Sequence, residues 1–194
     1  MDSFSFYVKL GFEHISDFAG YDHMLFLVAL CAIYRIQQWK SILVLVTAFT
    51  IGHSVTLILS TLDIFTIASN IIEFLIPVTI FLTAINNVTD SNLEANGIKM
   101  NKNYSMALFF GFIHGMGFSN YFKALLMESS DVAMPLLGFN IGIEIGQILV
   151  VFIIVSIAYL FISKLGVKHR DWNLFISGAA AGVSLIFMFE NKIW

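Results

Sequence analysis

Six stretches of the chain are apolar over about the 20 residues needed to cross a bilayer core, and the polar positions between them fall in short clusters. The stretches are residues 21–38, 41–60, 65–88, 104–126, 136–163 and 172–189. Ahead of them, residues 1–19 interleave aromatics with charges, and Lys9, Glu13 and Asp17 recur every four positions. That spacing predicts an interfacial amphipathic helix with one wet face, not a span. Thr89 to Asn103 is the only long polar segment and reads as a loop, and Glu128 to Asp131 forms a short acidic link. Pro77 falls inside the third stretch, where a missing N–H predicts a kink. The expected fold is all-α integral membrane: a six-transmembrane-helix bundle with a short N-terminal interfacial helix, one membrane domain over 1–194.

Composition sharpens this reading. The chain is 58% hydrophobic and 12% charged, whereas a soluble domain carries roughly 25% charged residues. A net charge of −3 gives nucleic acid no electrostatic footing. Met1-Asp2-Ser3-Phe4 has no basic n-region, so no cleaved signal peptide is expected. The single cysteine, Cys31, excludes an internal disulfide and a thiolate metal cluster.

Basic residues set the expected orientation, since short cytoplasmic links are rich in Lys and Arg. Arg35 and Lys40, Lys99 and Lys102, and Lys164, Lys168 and Arg170 follow the first, third and fifth spans. The alternate links hold Lys123 and several acids, so both termini should be periplasmic.

With that orientation, the ionisable residues gather in one layer. His14, Asp22 and His23 stand at the outer entrance of the first span, and His53 lies past the midpoint of the outward-running second. Glu73 and Glu144 lie about a third of the way into the inward-running third and fifth spans, and His114 is near the middle of the fourth. An ionisable side chain at such depth costs several kcal/mol, from roughly 2.5 upward, unless it is paired. One such histidine is most often a packing residue; five helices supplying the same layer point to a shared ligand.

Imidazole and carboxylate together suit a divalent metal ion such as Ni, Co or Zn. The candidate ligands are His14, Asp22, His23, His53, His114 and Glu144. Thr50 and Asn70 each precede a candidate by three residues, and Asn140 and Gln147 flank Glu144 on one helix stripe, as supporting hydrogen-bond partners would. His169, set among basic residues, reads as a solvated surface side chain. Gly111 and Gly115, Gly138, Gly142 and Gly146, and Gly178 and Gly182 form faces that allow close helix approach, within the chain or in an oligomer.

The motifs Gly11-Phe12-Glu13-His14-Ile15, Asp22-His23-Met24-Leu25-Phe26, Thr50-Ile51-Gly52-His53-Ser54, Phe110-Gly111-Phe112-Ile113-His114-Gly115-Met116-Gly117-Phe118 and Gly138-Phe139-Asn140-Ile141-Gly142-Ile143-Glu144 resemble the HupE/UreJ family, nearer its second branch. The resemblance implies a bacterial inner-membrane protein, some members being nickel or cobalt permeases. It would carry metal contact onto His14, Asp22, His23, His114 and Glu144.

Two functions remain open. One is a permease that draws a divalent ion from the periplasm through Asp22 and Glu73 into the histidine layer. The other is a zinc-type intramembrane metallohydrolase acting on a lipid or peptide, with Glu73 or Glu144 as general base.

Overall fold

The computed structural model describes residues 3–17, 20–89, 100–126 and 132–193. Among these residues the chain forms α1 (Ser3–Ser16), α2 (Tyr21–Ala32), α3 (Trp39–Thr61), α4 (Ser69–Thr89), α5 (Met100–Leu126), α6 (Ala133–Tyr159) and α7 (His169–Glu190), and no strand. A 3₁₀ turn, Ile36–Gln38, leads into α3, and a π turn, Leu160–Lys164, closes α6. Gly166 follows it at φ 74°, a left-handed conformation that glycine adopts without strain. Of the loop expected over Thr89 to Asn103, residues 90–99 lie outside the described residues, as does the whole acidic link at 128–131; α5 already begins at Met100.

Four segments are long and apolar enough to cross a membrane: Ile36–Thr61, Ser69–Thr89, Ala133–Lys164 and His169–Glu190. The pair Phe4–Ser16 and Tyr21–Ala32, bent by 65°, makes a fifth if counted as one broken span. Six spans were expected. One difference is α2, whose 12 residues are too few to cross alone; the other is α5, whose 27 residues would reach about 40 Å but carry Asn101, Asn103, His114, Ser119 and Asn120, and so lack the required apolar window.

The expectation of an interfacial helix at the N-terminus meets a different packing. α1 lies along α6, with Phe4 beside Gly138, Val8 beside Gly142 and Ile15 beside Gly146, so the two helices run parallel. A Cβ on Gly11 would collide with the Phe139 carbonyl, and one on Gly142 with the Val8 carbonyl. Ile15 is fully buried, while Lys9 and Glu13 form an exposed ion pair of 3.4 Å. α1 is therefore bound to α6 along its length, backbone against backbone.

α3 and α5 form the second such pair, also parallel. A Cβ on Gly52 would meet the Leu108 carbonyl, on Gly111 the Phe49 carbonyl, and on Gly115 the His53 carbonyl. Between apolar helices in lipid there is no hydrophobic drive to associate, so this contact packing supplies the attraction. Gly178 and Gly182 on α7 have nothing within 4 Å of a Cβ position, so the same spacing is left unused there.

α4 runs antiparallel to α5 and α7. Asn120 donates to the Ser69 hydroxyl at one end and Lys102 bonds Asn86 at the other. Asn173 on α7 donates to the Asn87 carbonyl (2.8 Å). Lys123 pairs with Asp63, joining the ends of α5 and α3. The core is aromatic, with Phe26, Phe49, Phe122 and Phe139 fully enclosed, and the outward faces of α6 and α7 present Phe152, Phe175 and Phe189 for lipid contact. His169, expected at the surface, is instead buried at 8% exposure, since the first turn of α7 tucks under Tyr34 and Arg35.

Candidate metal centre

The two glycine-mediated helix pairs decide where the histidines go. Gly115 on α5 lets the His53 backbone of α3 approach, which sets His53 and His114 at one level; Gly11 and Gly142 let α1 descend far enough to bring His14 there. α2 then supplies His23. Ring centroids lie 4.6 Å apart for His14 and His23, 5.2 Å for His23 and His114, 5.8 Å for His14 and His53, and 6.0 Å for His23 and His53.

Two triads have possible ligand atoms within 4.8 Å of one another: His14, His23 and His53, and Asp22, His23 and His114. His23 belongs to both. Two bonds of about 2.0–2.2 Å to one ion reach at most about 4.4 Å, so a bound ion would draw these atoms inward.

Hydrogen bonds fix two of the rings. An ionised carboxylate only accepts, so His23 Nδ1 donates to Asp22 Oδ1 (3.1 Å), which also accepts from the His23 backbone N–H (2.9 Å). Nε2 of His23 is left as a lone pair. The Thr79 hydroxyl has one proton and gives it to the Ile76 carbonyl (2.7 Å), so the 3.1 Å contact with His114 has Nε2–H of the imidazole as donor. The free lone pair of His114 is then on Nδ1. Both patterns match metal-binding histidines, whose second nitrogen is held by an outer acceptor.

The remaining nitrogens are more telling. His14 Nε2, His23 Nε2, His114 Nδ1 and both nitrogens of His53 are buried without a hydrogen-bond partner. A buried polar atom left unpaired costs about 1–3 kcal/mol; His169 Nε2 is orphaned singly, whereas here five such nitrogens gather in one cluster. Donor chemistry and orphaned atoms thus fit a cation with affinity for imidazole. Phe26 and Phe49 close the cluster on one side, with Phe26 5.5 Å and Phe49 5.0 Å from His114. Phe118 and Phe139, stacked at 4.9 Å, wall it beside His14.

The cluster opens into a vestibule of about 810 Å³ lined by His14, His23 and His114 together with the carboxylates of Glu13, Asp17, Asp22 and Glu73. His53, deeper, does not line it. Pro77 has no N–H to bond the Glu73 carbonyl four residues earlier. Glu13 and Asp17 were not singled out in the sequence as part of the site, although their four-residue spacing with Lys9 was visible.

A family model described as HupE / UreJ protein matches residues 1–191. The chain belongs to the HupE/UreJ family. Comparison with curated proteins and with solved structures gave no match. Membership makes this a metal-related, multi-pass membrane protein, the family being associated with nickel and cobalt transport.

Set against that membership, the candidate residues divide into three groups. His14, Asp22, His23, His53 and His114 converge. Glu144 is not in either triad: its carboxylate accepts from the hydroxyls of Thr47 and Thr50, each at 2.7 Å, across the α3–α6 seam. Gln147 lies 2.7 Å from the Thr50 hydroxyl and Asn140 lies 2.7 Å from the Ser54 hydroxyl, so these form one seam network. Asn70 is exposed at the start of α4, away from the cluster. The polar neighbour that does support a HupE/UreJ histidine is Thr79, whose signal was its position six residues after Glu73 on a helix already marked by an acid.

Proposed function

We propose that this HupE/UreJ protein is a divalent transition-metal permease of the nickel or cobalt type in the bacterial inner membrane. Its capture site is the cluster of His14, Asp22, His23, His53 and His114, reached from the periplasmic side. The observation that carries this reading is the set of imidazole nitrogens buried without partners at the foot of an acidic vestibule. Carboxylates of Glu13, Asp17, Asp22 and Glu73 concentrate cations at its mouth, as clefts lined by one sign of charge do.

The break between α1 and α2 supports the same reading. Discontinuous helices in transporters turn their ends toward the ion, and the carbonyl end of a helix favours positive charge. α1 ends at Ser16 beside the vestibule, and α2 begins two residues before His23.

The test is nickel uptake into liposomes. Purified protein should carry nickel down its gradient and bind it reversibly; a tightly held ion that survives dialysis, with no flux, contradicts the permease. That second outcome favours the metallohydrolase, for which Glu73, on the wall of the same vestibule, is better situated as general base than the hydrogen-bonded Glu144.

A further inference from the structure

The vestibule leads to the histidines but no further, so a permease needs a second leg. α4 carries a candidate. Thr79, Thr83 and Asn87 stand at i, i+4 and i+8 on one face, with exposures of 2%, 5% and 3%. Three polar side chains in register over about 12 Å of helix form a buried stripe where apolar residues would pack at lower cost.

The stripe starts at the cluster and ends at a second cavity. Its first member accepts from His114 Nε2 (3.1 Å). Its last two line a cavity of about 10 Å³ with Asn86, Asn103 and Tyr34, at the opposite end of the bundle. That is close to the least volume that holds one water.

Part of this polarity has local use. Thr79 and Thr83 donate to carbonyls of the preceding turn, Ile76 and Thr79, as threonines in apolar helices do. Asn87 donates to the Ala29 carbonyl of α2 (2.6 Å). These bonds use up the protons and leave hydroxyl lone pairs along the stripe: neutral oxygen donors, weaker for a transition metal than imidazole, over which an ion is released rather than trapped.

One side chain interrupts the route. Phe26, 1% exposed, has its ring 5.5 Å from His114 and also lines the far cavity, 6.4 Å from Phe110. The chain is thus open to the vestibule and shut beneath the histidines.

We propose that the Thr79–Thr83–Asn87 stripe is the exit leg of the ion route and that the Phe26 ring is the gate closing it. The proposal rests on the permease reading, and its test separates the two. In a Cys31→Ala background, Thr83→Cys is treated with a charged, water-soluble maleimide in detergent, with Phe26 intact and with Phe26→Ala. Labelling should be slow with the ring present and at least about tenfold faster without it, as expected when a local closure is removed. Phe26→Leu, which keeps apolar bulk without the ring, should lie between them and guards against a misfolded alanine variant. In liposomes, Thr83→Val should lower nickel flux about tenfold with calorimetric nickel affinity unchanged. Equal labelling rates in all three backgrounds overturn the gate, and wild-type flux in Thr83→Val overturns the exit leg. Absence of flux in the wild-type protein removes the permease, and the labelling rates still decide whether Phe26 shuts this route.

Discussion

Two of the polar clusters among the described residues are built on opposite principles. In the α3–α6 seam, Glu144, Thr47, Thr50 and Gln147 are hydrogen-bonded to one another. In the histidine cluster, the nitrogens of His14, His23, His53 and His114 that point inward have no partner. A polar group inside a membrane is expensive alone, so a satisfied network is complete as it stands, whereas an unsatisfied one is complete only with a ligand. Glu144 is the more conspicuous residue in the sequence, a lone acid in an apolar run. Its hydrogen bonds run across the α3–α6 seam, and it is the less isolated His23 that belongs to both triads.

The contrast is broken most severely at His23, which belongs to both triads. His23→Ala should weaken nickel binding by more than about 100-fold in calorimetry, beyond the 10- to 100-fold loss typical of an outer-sphere change, with the folded state retained. Asp22→Asn removes the acceptor that orients His23 and should fall within that 10- to 100-fold range. Glu144→Gln should leave affinity within a factor of about three, the scatter expected of a group away from the ion. If Glu144→Gln matches His23→Ala, the two clusters are one site and the contrast fails.

Smaller and opposite shifts in stability sharpen the comparison. His53 is fully buried with both nitrogens unpaired, so His53→Leu should stabilise the metal-free protein by about 1–3 kcal/mol, the cost of the unsatisfied polar atom it removes. Thr50→Val takes a donor from Glu144 and should destabilise by a similar amount, about 1–3 kcal/mol. Thermal unfolding in detergent without metal measures both. Shifts of the same sign would mean that His53 has a structural partner.

Much of this was legible in the chain. Apolar runs located four of the six expected spans, and the depth argument placed Glu73 and Glu144 in one layer with His14, Asp22, His23, His53 and His114, of which the last five converge. What it could not give was rotation about each helix axis. Glu144 and His114 sit at comparable depths, yet one meets the α3 hydroxyls and the other the cluster, a difference of facing that residue spacing alone does not resolve. The packing of α1 was hidden for a related reason: Lys9 and Glu13, the charges that suggest an interface, occupy its exposed face, while Gly11 and Ile15 bind it to α6. Gly142 marked that contact only as half of a pair, since Gly178 shows equal spacing with nothing within 4 Å of its Cβ position. His169 was read from its basic neighbours, and its burial depends on Tyr34, far away in sequence.

X-ray absorption at the nickel edge of the loaded protein tests the central claim most directly. Imidazole rings should dominate the spectrum, with nitrogen and oxygen neighbours at about 2.0–2.2 Å and outer-ring scattering that diminishes in His23→Ala. A spectrum of hydrated nickel, the same in wild type and in His23→Ala, would contradict it.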